Sequence, residues 1–121
     1  MGRQPILVVD DDEDLRTMLC LILSAEGYAV ASAADGVQAL DRLRGEPPAL
    51  LLVDLMMPRM NGEELIRKMT EDAALARIPI AIMSGQASVL SAAPVPGVVA
   101  RLVKPVELDE ILSVVQRFAD R

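Results

Sequence analysis

Four short runs of almost unbroken apolar residues, two of them closing on an acid, constrain this chain more than any other feature. Ile6–Asp10 reads ILVVD, Leu50–Asp54 reads LLLVD, Ile78–Met83 reads IPIAIM, and Val98–Val103 reads VVARLV, interrupted only by Arg101. A strand with one wet face alternates apolar with polar residues. A run that is apolar at nearly every position fits a strand covered on both faces, as in a parallel sheet. Tyr28–Ala33 (YAVASA) is a weaker strand, suited to an edge.

Between the runs the periodicity changes to that of a helix. Leu15, Met18, Leu19 and Ile22 recur at i, i+3, i+4 and i+7, one helical face, with Gly27 as the stop. Asp35 is a good N-cap for a second helix carrying Val37, Leu40 and Leu43, which Gly45 and Pro47-Pro48 terminate. Leu65, Ile66 and Met69 form a third face after Asn61-Gly62, and Leu108, Ile111, Leu112, Val115 and Phe118 form the last and strongest. From Ser84 to Gly97 only a turn or two near Ser88–Ala92 has room to be helical, because Pro94, Pro96 and Gly97 forbid continuation. Strands alternating with helices predict an α/β fold, and right-handed crossovers narrow it to a doubly wound parallel sheet. The chain of 121 residues suits one domain, residues 1–121, and is too short for two.

Composition removes most chemistries. There is no His, no Trp and one Cys, Cys20, so Cys/His zinc sites, Ser–His–Asp triads and disulfide frameworks are excluded. One Tyr and one Phe leave no platform for stacking bases or a flavin ring. With 12 Lys and Arg against 18 Asp and Glu the net charge is −6, the wrong sign for neutralising nucleic-acid phosphates. The first apolar run leads straight into acids, and no run nears the ~20 apolar residues of a membrane span. The cytoplasm is the expected location. Cys20 falls within a helical apolar pattern and is expected to pack.

What remains is carboxylates, hydroxyls, Lys and Arg, and their placement is specific. Sites in open α/β sheets form beyond the carboxyl ends of strands. Read at those ends, the runs deliver Asp10-Asp11, Asp54, Ser84 and Lys104 to one edge. Converging carboxylates repel, and a divalent cation relieves them. With only oxygen donors at hand that cation is Mg²⁺ or Mn²⁺. Carboxylate, hard cation, Lys and hydroxyl together are the requirements of phosphoryl transfer, with the carboxylate as nucleophile. Plainer roles compete: Asp12, Glu13 and Asp14 fit a helix N-terminus favoured by the dipole, Asp54 could open a turn, and Met56, Met57 and Met60 fit loop packing.

In order along the chain, ILVVDDDEDLR, LLLVDLMMPRMNG, IPIAIMSG and LVKPVELDEI closely resemble the receiver domain of bacterial two-component response regulators, from about Ile6 to Phe118. The resemblance implies a flavodoxin-like five-stranded parallel sheet of order 2-1-3-4-5 with five flanking helices, the fourth here short or disrupted. It implies Asp54 as the phosphoacceptor, charged by a sensor histidine kinase or a phosphotransfer protein. Asp10 and Asp11 match the acid pair that organises Mg²⁺ with Asp54, and the Met56 carbonyl matches the backbone ligand. Lys104 matches the Lys that contacts the phosphoryl group, before Pro105 in what is usually a cis peptide. Ser84 matches the hydroxyl residue that moves toward the phosphoryl oxygens, and Pro58 and Gly62 match the turn after the acceptor. The implied function is a phosphorylation-dependent signalling switch whose output is a contact with a downstream protein, not nucleic-acid or membrane binding by this domain, and not an enzyme acting on free substrates.

Two departures stand out. Arg101 occupies the place of the family's aromatic on the fifth strand, where a long cation could reach a partner or the loop after Ser84. The span from Ser84 to Lys104 is also short, so the usual output face is altered. Two other classes are weighed. A haloacid-dehalogenase-like Mg²⁺ phosphohydrolase needs a second Asp two residues after the nucleophile, where this chain has Met56. An interaction module that is never phosphorylated needs none of the acids or the Lys.

Overall fold

The computed structural model describes residues 4–57 and 59–119. Pro58, which the resemblance assigns to the turn after Asp54, lies outside the described residues. Five strands, β1 (Ile6–Val9), β2 (Val30–Ala33), β3 (Leu50–Asp54), β4 (Ile80–Ser84) and β5 (Val98–Val103), pair in parallel in the order β2-β1-β3-β4-β5. Four α-helices flank them: α1 (Glu13–Ala25), α2 (Gly36–Gly45), α3 (Gly62–Thr70) and α4 (Leu108–Ala119). The expected sheet order is the observed one; the helix count is corrected from five to four. A 3₁₀ helix, Ala87–Ser91, stands where the disrupted fourth helix was expected, and no side chain caps its N-terminus.

Alternation along the strands explains why their sequences are apolar throughout. Successive side chains point to opposite faces, and here both faces carry helices. Leu7, Val9, Leu51, Val53, Ile80 and Ile82 pack with residues of α2 and α3 on one face. Ile6, Val8, Leu50, Leu52, Ala81 and Met83 pack with α1 and α4 on the other. Every residue of β1, β3 and β4 is buried, whereas β2 sits at an edge and is half-buried except at Ala33.

Three of the helices, α1, α2 and α3, start where short polar side chains take up orphan amides. Asp12 Oδ1 accepts from Leu15 N at 3.2 Å and Asp35 Oδ1 from Gln38 N at 2.9 Å. Asn61 and Glu64 form a reciprocal capping box at α3. Buried faces follow the expected periods with a rotation. On α1 the deep residues are Leu19 and Leu23, and Met18 is turned out; on α2 they are Ala39, Leu40 and Leu43, and Val37 is exposed. On α4 Leu108 is exposed and Ile111, Val115 and Ala119 are buried. Val37 and Leu108, in the first turns of their helices, match the period yet stay 49% and 46% exposed.

β5 departs from regular pairing. Ile80 pairs with Val98 but Ala81 with Ala100, so one residue is extra between them. A one-residue shift exchanges the faces of everything that follows. The shift puts Leu102 in the core shared with α4 and Arg101 opposite Ile82, on the face of α3 and the 3₁₀ helix.

Candidate functional site

Strand register brings the polar residues together. Val9 pairs with Val53, which sets Asp10 beside Asp54; Asp54 pairs with Met83, and Ser84 pairs with Val103, the residue before Lys104. All four chain positions therefore leave the sheet at one edge, the carboxyl edge that the sequence singled out. Asp10, Asp54 and Ser84 are buried, Lys104 is half-buried, and Asp11 is exposed.

Lys104 is the hub. Its Nζ donates to Asp10 Oδ2 at 2.7 Å and to Asp54 Oδ2 at 3.1 Å. The strand ladder carries it there: Lys104 N donates to the Ser84 carbonyl at 2.7 Å, and the peptide bond to Pro105 is cis, as the resemblance implies. Asp10 is fixed on its other sides. Its Oδ1 accepts from Asp12 N at 2.9 Å, and its carbonyl accepts from Arg16 Nη1 at 2.7 Å. Asp54 Oδ1 accepts from Met56 N at 3.2 Å, so its side chain is held at both oxygens.

The electrostatics follow from burial. Removal from water pushes the Asp54 carboxyl above its ordinary value and the charge of Asp10 adds to this, outweighing the Met56 amide and Lys104. Burial alone would lower the Lys104 ammonium, but the hydrogen bonds and charges of Asp10 and Asp54 prevail and it lies above its usual value. Carboxylate oxygens of Asp10, Asp11 and Asp54 come within 4.8 Å of one another. Three such groups facing one ammonium, with the Arg16 guanidinium on the Asp10 carbonyl, leave an excess of acid over base. An all-oxygen cluster with that excess, one member open to solvent, fits a hard divalent cation.

Beside the cluster the Ser84 hydroxyl accepts from Gln86 N at 3.1 Å, which ties it to the approach to the 3₁₀ helix. A cavity of about 500 Å³ opens next to it between α3 and the 3₁₀ helix, walled by Leu55, Ile66, Ile82, Val89 and Arg101. Arg101 reaches the loop after Ser84, one of the two destinations its sequence position suggested: Nη1 and Nη2 donate to the carbonyls of Ala92 and Ala93 at 3.0 and 2.6 Å. Its Nε is buried without a hydrogen-bond partner among the described residues. Met56, one of the three methionines expected to pack, is 66% exposed, while Met57 and Met60 do pack. Cys20 packs at the edge of a core, half-buried, and burial raises its thiol pKa.

Sequence reasoning missed two cations. Arg16 has no role of its own in the sequence reading; it lies one helical turn beyond Asp12, which brings its guanidinium to the Asp10 carbonyl. Arg59 grips Asp35, its Nε lying 2.9 Å from Oδ2 and its Nη2 bonding the same oxygen. Residues so far apart in sequence give no local signal of such a contact.

Comparison with known proteins agrees with this geometry. The family described as the response regulator receiver domain matches residues 6–116. The chain is 32% identical over 118 residues to sporulation initiation phosphotransferase F of Bacillus subtilis, covering 98% of this chain and 95% of that one. It is 43% identical over 84 residues to the DNA-binding response regulator MtrA of Mycobacterium tuberculosis, 69% of this chain but only 36% of that longer protein. A response regulator receiver protein from Pseudomonas putida superposes with a TM-score of 0.87 at 32% identity, over 97% of this chain and 98% of that one. The chemotaxis response regulator CheY4 of Vibrio cholerae superposes with a TM-score of 0.87 at 28% identity, over 97% and 99%. With likeness of this extent added to the expected sheet order, the chain belongs to the response regulator receiver domains, the phosphorylation-dependent switches of two-component signalling.

Proposed function

We propose that Asp54 accepts the phosphoryl group, that Asp10 and Asp11 with Asp54 and the Met56 carbonyl hold Mg²⁺, and that Lys104 and Ser84 receive the phosphoryl oxygens. The observation that carries this reading is the position of Lys104 Nζ, shared between Asp10 and Asp54 at the end of β3. An ammonium already seated against the nucleophile is preorganised for the charge that develops on a transferring phosphoryl group.

In transfer an Asp54 oxygen attacks phosphorus as the P–N bond to a donor phosphohistidine breaks, with the electron pair leaving on the imidazole. The Met56 amide fixes the carboxylate rotamer, so attack needs little reorganisation. Mg²⁺, when bound, supplies charge neutralisation on the phosphoryl oxygens. The product acyl phosphate carries close to two negative charges and three acceptor oxygens. Ser84 then exchanges its bond from Gln86 N for one that its hydroxyl donates to the phosphoryl group, which moves the approach to the 3₁₀ helix. New contacts present in only one state shift a two-state equilibrium.

The donor is a sensor histidine kinase or a phosphotransfer protein, and likeness to the sporulation phosphotransferase along nearly its whole length supports a place in a relay. Output is a protein contact, and the site of action is the cytoplasm. The domain assists its own phosphorylation and hydrolysis but turns over no free substrate. Incubation with Mg²⁺ and acetyl phosphate is expected to label the wild-type protein once and Asp54→Asn not at all, read by intact-protein mass spectrometry. Equal labelling of the variant overturns the assignment, and many turnovers of a phosphomonoester overturn the regulatory reading.

A further inference from the structure

We infer that Arg59 is a positioning residue for this site: by gripping Asp35 it sets the loop that carries Met56, whose amide holds Asp54 and whose carbonyl the reading above assigns to the metal. The inference rests on the reading of Asp54 and its metal ligands above.

Arg59 has φ 63, the one positive φ outside glycine among the described residues. A side chain with a Cβ is disfavoured in that left-handed region, and such a conformation persists only where surrounding contacts over-determine it. Here the contacts are visible. The guanidinium Nε and Nη2 both bond Asp35 Oδ2, while Asp35 Oδ1 caps α2. Asp35 is only 1% exposed, so the point being gripped is itself immobile.

The neighbouring residue adds a second tether. Gly36 N donates to the Met60 carbonyl at 3.1 Å, and a Cβ at Gly36 would lie 2.4 Å from that oxygen. At its base the loop is closed by Gly62 N donating to the Leu55 carbonyl at 3.0 Å. The tethers at Leu55, and at Arg59 and Met60, lie on either side of Met56 and Met57. Met56 is the residue whose amide holds Asp54 Oδ1. The chain therefore accepts an unfavourable φ at Arg59 and uses α2, an element outside the site, as the anchor for a loop within it.

A metal-affinity series tests this by titrating Mg²⁺ calorimetrically into the full chain, alongside acetyl phosphate labelling and thermal melting. Arg59→Ala, Arg59→Gly and Asp35→Asn are expected to weaken Mg²⁺ binding roughly tenfold, the scale typical for residues that orient metal ligands. Arg59→Lys, which keeps the charge without the fork, recovers part of the loss. Arg59→Gly is decisive, because it relieves the backbone while removing the grip. Weaker Mg²⁺ binding and a higher Mg²⁺ requirement for labelling, with an unchanged or higher melting temperature, show positioning rather than support of the fold. Affinity within twofold of wild type in Arg59→Gly and Arg59→Lys overturns the inference alone. A wild-type protein that neither binds Mg²⁺ nor is labelled overturns the site reading, and the inference with it.

Discussion

Lys104 and Asp54, one of the two acids it holds, make opposite contributions to stability, although they belong to one cluster. Asp10 is fully buried, and Lys104 is its counter-charge. Lys104→Met leaves that carboxylate uncompensated and is expected to cost about 3 kcal/mol in denaturant unfolding at neutral pH. Because the folded state raises the Lys104 pKa, its contribution is complete below the unfolded value and is lost as pH rises through the folded one. The variant should therefore also flatten the alkaline limb of a stability profile. Asp54 also has a raised pKa, but for an acid this marks the ionised form as the disfavoured one, and stability again falls as pH rises through its folded-state value. Metal-free Asp54→Asn is expected to melt a few degrees higher than wild type at neutral pH, whereas Lys104→Met melts lower. Asp35 is held below the ordinary carboxylate range by the Gln38 amide and then Arg59. Its contribution is present above the unfolded value and is withdrawn as pH falls through the folded one, so Asp35→Asn should blunt the acid limb, followed by urea unfolding across acid pH.

Elements turn these residues into a site, and glycines mark where two elements approach too closely for a side chain. A Cβ on Gly62 would sit 2.7 Å from the Asp54 carbonyl and 2.8 Å from Leu55 Cα, both backbone atoms that cannot rotate away. Gly62→Ala is expected to destabilise by about 1–3 kcal/mol and to slow phosphorylation, because the atoms it displaces carry the acceptor. Gly85→Ala serves as the control in the same assays, since a Cβ there meets nothing within 4 Å. The capped helices and the uncapped 3₁₀ helix should differ as sharply in dynamics. Amides of Ala87–Gly97 are expected to exchange far faster than those of the capped α3, with Arg101→Ala accelerating the segment further by releasing the Ala92 and Ala93 carbonyls. The apolar runs and turn residues made the sheet and four helices legible in advance. Helix rotation was less so, because Met18, Val37 and Leu108 satisfy the period but are left about half exposed.

At the scale of the molecule, a net charge of −6 with three carboxylates gathered at one edge is expected to make the fold responsive to cations. Mg²⁺ at a hundred times its dissociation constant is expected to stabilise the protein by about 2.7 kcal/mol, lost on chelation and absent in a variant lacking Asp10 and Asp54. The sequence by itself determined which residues meet. A parallel sheet sends every strand's carboxyl end to one side, so polar residues closing apolar runs must share an edge, and Asp10, Asp54, Ser84 and Lys104 were legible for that reason. Only the tertiary structure decided the rest. One extra residue in β5 chose the face on which Arg101 lies, and the grip of Arg59 on Asp35 joined loops 24 residues apart. Local periodicity records which side of an element is apolar, whereas register shifts and long-range ion pairs depend on how separate elements come to rest against one another, which no window of sequence contains.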